Sequence, residues 1–253
     1  MKPRPAFALS LAAPLLAALL LTGCTSGGAE PSPSSTAAAA PTPSLDTEAA
    51  AALVAAGLKS SSGSYKLHAA ITYAGAQGVQ LDVQSDPAAK KMLMTVVNGT
   101  SKIEARVLGS DFYLTGLPQL GKKWMKVDGS QVEGFSDMFG MSEQNLAMLG
   151  GIIELTVGPN GVFQGWIDPQ KAMDKASSPQ IKDALAKVVK ASGAGARIPF
   201  TSKIADGYLV GLTTEYPAEV NNAVTHMKAE MTLSDFGKPV TVTAPPAKDL
   251  VQQ

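Results

Sequence analysis

Cysteine and histidine are scarce in this sequence. One cysteine, Cys24, and two histidines, His68 and His226, occur among 253 residues. A single cysteine excludes a disulfide bond within the chain, and a zinc site ordinarily needs three or four ligands at recognisable spacing. The two histidines lie in separate predicted strands, so we expect no metal ion and no other cofactor.

Sequence motifs of catalysis are also missing. No G-x-S-x-G surrounds the serines at 60–62, and no G-x-G-x-x-G follows a predicted strand. The triplet Asp235-Phe236-Gly237 occurs in kinases, but the other kinase motifs are not found here. We therefore expect that the protein is not an enzyme. A hydrolase that uses His68 or His226 is the least favoured alternative.

Neither sign of charge is in excess. The chain has 21 basic and 21 acidic residues, and its first 23 residues contain Lys2 and Arg4 but no acidic residue. Without that segment 19 basic and 21 acidic residues remain, which is a net charge of −2. Proteins that bind nucleic acid are usually markedly basic, so we expect no nucleic-acid partner.

The N-terminus carries an apolar run from Ala6 to Leu21, preceded by Lys2 and Arg4. The run is shorter than the roughly 20 residues of a membrane-spanning helix, and its pattern is typical of a secretory signal peptide. Its last residues, Leu21-Thr22-Gly23-Cys24, resemble the lipobox of bacterial lipoproteins, in which the cysteine receives a diacylglycerol and becomes the first residue. An ordinary signal peptide with a chance cysteine nearby is the alternative.

These features predict three segments of the chain. Residues 1–23 are expected to be a lipoprotein signal peptide, 24–44 the lipidated Cys24 with its tether, and 45–253 a single domain. The tether is rich in Pro, Ser and Ala, a composition that has nothing to bury and is typical of disorder. Acyl chains such as palmitate on Cys24 would anchor the protein to the extracytoplasmic face of the cell membrane.

The first part of the domain predicts one helix and a meander of strands. Residues 45–59 have helical spacing, with Asp46 or Thr47 as the N-cap. Apolar and polar residues then alternate over 64–128 in about six segments, and Asn98-Gly99 is a strong hairpin signal. We expect six antiparallel strands with one apolar and one solvated face.

The second part predicts helices followed by further strands. Helical spacing occurs at 135–151, and two pairs of an N-cap residue and a proline, Asp168-Pro169 and Ser178-Pro179, predict further helices at 169–176 and 179–191. Strand patterns return in RIPFTSKIA, GYLVGLTTEYP, HMKAEMTLSDFG and PVTVTAP. The expected fold class is α+β, with a large antiparallel sheet covered on one face by helices.

Methionine is frequent in the domain, with nine of the ten methionines beyond the signal peptide. Unbranched thioether side chains fill ordinary cores, and they also suit a cavity that adapts to a flexible apolar ligand. Both interpretations stay open. The residues expected to line a cavity between sheet and helices are Leu67, Ile71, Leu81, Met92, Met94, Ile103, Val107, Met138, Met141, Leu146, Met148, Ile181 and Leu185.

The domain resembles the LppX/LprG-type actinobacterial lipoproteins, which belong to a wider group of LolA/LolB-like carriers. The resemblance rests on the lipobox and tether, the helix from residue 45, the meander, the pair DFYLTG and KKWMKVD, the Asp-Pro helix start and the closing LSDFGKPVTVTAPPA. It implies a half-open β-barrel: a strongly curved antiparallel sheet with helices across its concave face and an apolar cavity between them.

The resemblance also implies a function in the cell envelope. Some members bind a lipid or glycolipid and transport it, and the family has no catalytic motif. We therefore expect a lipoprotein that holds a lipid or another long apolar ligand between sheet and helices. The alternative is a noncatalytic surface interaction or scaffold lipoprotein with a filled core and an envelope protein as partner. Either protein would reach the membrane through the lipidated Cys24.

Overall fold

The computed structural model describes residues 45–73, 76–129, 147–176, 179–220 and 223–251. The helices are α1 (Thr47–Ser62), α2 (Pro169–Lys175) and α3 (Pro179–Ser192), and residues 147–150 are also helical. The strands are β1 (Tyr65–Tyr73), β2 (Ala76–Asp86), β3 (Lys91–Asn98), β4 (Ser101–Leu108), β5 (Asp111–Thr115), β6 (Met125–Asp128), β7 (Ile152–Val157), β8 (Val162–Ile167), β9 (Ile198–Ala205), β10 (Tyr208–Val220) and β11 (Ala223–Ser234).

The strands form one antiparallel sheet in the order β6-β5-β4-β3-β2-β1-β11-β10-β9-β8-β7. It consists of two meanders, β1–β6 and β7–β11, that join where β1 pairs with β11 and Leu67 lies opposite Leu233. Among the described strands β6 and β7 lie at the two edges, so the sheet is open and is not a closed barrel. The predicted α+β class, a large curved antiparallel sheet with helices across one face, is confirmed.

Helix α1 is fixed to the sheet at its C-terminal end. The buried Ser60 hydroxyl donates to the carbonyl oxygen of Ala56 at 2.8 Å and accepts from the backbone N–H of Leu209 at 2.8 Å. Lys59 donates to the carbonyl oxygen of Asp206 at 3.0 Å, and its Nζ lies 3.9 Å from the ring centroid of Tyr208. These contacts join α1 to the turn between β9 and β10.

Buried apolar residues form two clusters on one face of the sheet, which we call the inner face. The helix-covered cluster lies between the helices and β7–β10 and includes Leu53, Ile167 and Leu185. The meander cluster lies on β1–β5 and β11 and includes Met92 and Val107. Met231 of β11 packs against both clusters and links them.

Several predicted elements are confirmed. The six strands of the first meander are present, and Gly99 in the turn between β3 and β4 has a φ of +56°, the conformation that a glycine adopts without strain. Asp46 caps α1 by accepting from the N–H of Ala49 at 2.9 Å. Asp168 caps α2 by accepting from the N–H groups of Gln170 and Lys171 at 2.9 and 3.2 Å.

The hairpin of β7 and β8 was not predicted from the sequence. Its turn at Pro159–Gly161 holds Asn160 at a φ of +57°, so the chain reverses within three residues. Gly165 has no side chain and therefore interrupts the apolar alternation of β8. A Cβ at this position would lie only 2.1 Å from the carbonyl oxygen of Glu154. This close approach of two backbones requires glycine and hides the strand pattern.

The predicted strand in PVTVTAP is wrong. Residues 238–246 pair with none of the described strands. Pro239, Pro245 and Pro246 have no N–H to donate to a ladder, and the segment crosses the outer face of the sheet. We call residues 238–251 the C-terminal strap. Most of the helix predicted at 135–151, and the predicted cap Ser178, lie outside the described residues.

Candidate ligand-binding face

The inner face of β1–β6 consists of cross-strand rows of mainly apolar side chains. Residues directly opposite each other on neighbouring antiparallel strands point to the same face, so each register position defines a row. Row 1 contains Tyr65, Ser85, Met92, Val107, Phe112 and Val127; row 2 contains Leu67, Val83, Met94, Ala105, Leu114 and Met125; row 3 contains Ala69, Leu81, Val96 and Ile103; row 4 contains Ile71, Val79, Asn98 and Ser101.

Burial decreases from row 1 to row 4. Met92 and Val107 in row 1 are 1% and 0% exposed, and most residues of row 2 are also buried. Every residue of row 3 is only half-buried, and in row 4 Ile71 and Val79 are half-buried while Asn98 and Ser101 are exposed. The inner face is therefore closed at the end of row 1 and more open at the end of row 4, where the turn between β3 and β4 lies.

The structure places the seven predicted strand residues on this one face. Met92 and Val107 lie in row 1, Leu67 and Met94 in row 2, Leu81 and Ile103 in row 3, and Ile71 in row 4. They thus extend from the closed end to the open end of the inner face. Their common orientation follows from the alternation that the sequence displays.

The predicted helical residues lie elsewhere. Leu185 is buried in the helix-covered cluster, and Met148 and Ile181 pack against it half-buried. They are not members of the meander cluster, although Met231 joins the two clusters along row 3, with Ala69 on one side and Leu212 on the other. Met138, Met141 and Leu146 lie outside the described residues.

Other inner-face residues were not included in the predicted lining. Val83, Ala105, Phe112 and Leu114 are buried members of rows 1 and 2. The alternation in DFYLTG was a signal for Phe112 and Leu114, since both lie on the same side of β5. The predicted lining favoured methionine and did not include these neighbours on the same face.

Two polar side chains on the inner face, Tyr216 and Ser202, lie in an apolar environment. Tyr216 of β10 packs against the helix-covered cluster, and burial, with a smaller contribution from Tyr73, raises its pKa to about 12. Ser202 of β9 is 1% exposed, and in the described part of the chain its hydroxyl has no hydrogen-bond partner. An environment that disfavours charge suits the apolar part of a ligand.

The outer face is polar and carries the two histidines. His68 is exposed, with its Nδ1 2.8 Å from a carboxylate oxygen of Asp82, and His226 is exposed on β11. Across the ranges that the structure describes, no three His, Cys, Asp or Glu side chains are grouped as a metal site would require. The described helices are all too short or too polar to cross a membrane.

Comparison with solved structures finds LprF from Mycobacterium bovis, with a TM-score of 0.48 and 18% sequence identity. The match covers 80% of this chain and 99% of the LprF chain. No protein-family model matches the sequence, and no curated protein matches it.

Proposed function

We propose that this protein is an envelope lipoprotein that binds the acyl chain of a lipid or glycolipid along the inner face of β1–β6. The decrease in burial from row 1 to row 4 is the observation that supports this function. Rows 1 and 2 are mainly apolar and mostly buried. The half-buried apolar side chains of rows 3 and 4 leave apolar surface that a ligand can cover. Each buried CH₂ group contributes about 0.8 kcal/mol, so burial alone gives useful affinity.

The lipoprotein anchor is part of this proposal. A diacylglycerol on Cys24 would hold the domain at the extracytoplasmic face of the membrane, and residues 25–44 would let it reorient there. The motifs shared with LppX/LprG-type lipoproteins support the same location and a role in binding without catalysis. Metabolic labelling with an alkyne analogue of palmitate is expected to mark the wild type and to be lost in Cys24→Ser.

Paired substitutions test the ligand-binding face. Ala69 lies in row 3 between Leu81 and Met231, whereas its neighbour Ala70 lies on the outer face between Gln80 and Glu230. A phenyl ring at position 69 would fill the surface left by the half-buried rows. In the full chain carrying Cys24→Ser, Ala69→Phe is expected to weaken binding of cis-parinaric acid, a fluorescent fatty acid, about tenfold or more.

Ala70→Phe is the matched control, because it adds the same ring to the opposite face. Native mass spectrometry of both variants would also detect any lipid that remains bound after purification. Equal binding by Ala69→Phe and Ala70→Phe would contradict a ligand on the inner face.

The scaffold function is the second candidate, and Trp166 favours it. This side chain is 38% exposed on the outer face of β8, opposite Pro199 and 5.0 Å from the guanidinium of Arg197. Arg197 also forms an ion pair with Glu154, so the indole lies beside a surface ion pair. Exposed tryptophan beside arginine is enriched in protein interfaces. Trp166→Ala should then abolish capture of an envelope protein and leave fatty-acid binding unchanged.

A further inference from the structure

The C-terminal strap lies along a single row of the outer face. Opposite residues on β1–β6 form the outer row Lys66, Gln84, Leu93, Arg106, Tyr113 and Lys126. The beginning of the strap lines a surface pocket of about 210 Å³ together with Lys66 and Gln84. Further along, Arg106 Nη1 donates to the carbonyl oxygen of Thr243 at 3.0 Å. The strap therefore crosses the strands from β1 towards β6.

The far end of the strap pairs with the chain just before β6. The N–H of Trp124 donates to Asp249 at 2.8 Å, and the N–H of Val251 donates to Trp124 at 2.8 Å, which forms a parallel bridge. Lys123 Nζ donates to the carbonyl oxygen of Lys248 at 2.7 Å. The guanidinium of Arg106 lies 4.4 Å from the ring centroid of Trp124 and connects this end to the middle of the row.

Apolar burial accompanies these hydrogen bonds. Val240, Val242 and Pro245 of the strap are buried. Tyr113 is 5% exposed, although it lies on the face opposite the meander cluster, so the outer row is covered at this position. The strap is thus a packed part of the domain and is held at several points.

The strand that the strap secures is intrinsically weak. β6 has four residues and pairs with β5 alone among the strands that the structure describes. Met125 and Val127 of β6 complete rows 2 and 1 of the inner face, where they cover one side of Leu114 and Phe112. Short edge strands open at a low free energy, so a contact that fixes β6 controls access to these rows from the side.

We propose that the C-terminal strap is a latch for β6, and that its release opens the inner face laterally to a long apolar chain. This inference rests on the proposed lipid-binding function. The parallel bridge between Trp124 and Leu250, with the hydrogen bond from the Val251 N–H to Trp124, is the closed position of the latch. When it separates, β6 detaches from β5 and exposes Phe112 and Leu114 at the sheet edge.

A proline substitution opens the latch with little change in side-chain packing. Val251→Pro removes the N–H that donates to Trp124, and Val251 itself is 42% exposed. Leu250 has φ −78° and ψ 146°, a conformation that a following proline accepts. Val251→Ala is the matched control, because it shortens the side chain and keeps the N–H.

Two measurements on the full chain carrying Cys24→Ser test whether Val251→Pro releases the strap. In Val251→Pro, hydrogen exchange at the amides of β6 should accelerate about fivefold, which corresponds to the loss of one backbone hydrogen bond. The association rate of cis-parinaric acid should rise by a similar factor. Val251→Ala should match the parent in both measurements.

A disulfide closes the same latch. In the Cys24→Ser background, Trp124→Cys with Leu250→Cys places two thiols at the bridge positions, and no other cysteine is present. Oxidation should slow the uptake of cis-parinaric acid, and reduction of the same sample should restore it. An association rate that is unchanged by Val251→Pro and by oxidation would overturn the latch. A parent protein that binds no fatty acid would overturn the lipid-binding function instead, whatever the exchange of β6.

Discussion

Asp235 follows the last residue of β11 and accepts from two lysines. Its carboxylate lies 2.5 Å from Lys238 Nζ and 2.7 Å from Lys66 Nζ. The hydrogen bond from Lys238, and then that from Lys66, lowers the pKa of Asp235 from 3.8 to about 2. Between pH 2 and pH 4 the folded protein therefore binds fewer protons than the unfolded chain. The stabilisation by Asp235 is present above about pH 4 and is lost as the pH falls towards 2.

The first prediction uses this carboxylate. Asp235→Asn is expected to flatten the dependence of stability on pH between 4 and 2, because an amide does not titrate in that range. Urea unfolding at pH 6 and at pH 2.5 provides the measurement, and the stability difference between wild type and variant should shrink at the lower pH. A constant difference at both pH values would argue against the lysine pair as the cause.

The second prediction concerns Tyr216, whose pKa is raised to about 12 by burial. Because the unfolded phenol ionises near 10, the folded state retains its proton longer, and stability falls as the pH rises from 10 to 12. In an absorbance titration at 295 nm, Tyr216→Phe should remove the tyrosine ionisation that occurs at the highest pH. The idea fails if the variant titrates like the wild type.

Helix α2 illustrates what a short element needs in order to form. It has seven residues, too few for stability in isolation, and Asp168 accepts two of its first N–H groups. The third prediction is that Asp168→Ala lowers the free energy of unfolding by about 1 kcal/mol, and that Asp168→Asn lowers it less, because the amide oxygen still caps. Urea denaturation of the two variants distinguishes them. Equal losses would mean that the cap contributes little.

Elements with a regular period could be predicted from the sequence, and those defined by distant partners could not. Alternation placed Leu67, Met92 and Ile103 on one face, because a strand fixes the side of each residue whatever it pairs with. The sequence PVTVTAP, which is part of the strap, predicts a strand because Val240 and Val242 also alternate with polar residues. Alternation carries no information on whether the backbone runs along the neighbouring strands or across them. It also does not reveal the hydrogen bond between Arg106 and Thr243.

The positions of the candidate site residues in the fold could be predicted from the sequence only for the strands. Strand residues came together, since their rows follow from consecutive hairpins with short turns. Met148, Ile181 and Leu185 were expected beside them, but α3 packs over the other half of the sheet. Which half a helix covers depends on the pairing of β1 with β11, and no local pattern encodes that pairing.

At the scale of the whole molecule, Met231 joins the two clusters. The fourth prediction is that Met231→Ala, which removes roughly 1–2 kcal/mol of packing, accelerates hydrogen exchange in both β3 and β9. Met94→Ala, a half-buried methionine of the meander cluster alone, serves as the control and should affect β3 more than β9. Exchange profiles of the two variants that coincide would show that Met231 does not couple the halves.

The pairing of β1 with β11 has a consequence for biogenesis. Lys66 lies opposite Ser234, so the junction between the meanders is formed by segments separated by most of the domain. A chain that leaves a membrane channel from its N-terminus cannot complete this sheet until β11 has emerged. Contacts of such long sequence separation also form slowly. For the proposed exported lipoprotein, this topology would delay completion of the sheet until translocation is nearly finished.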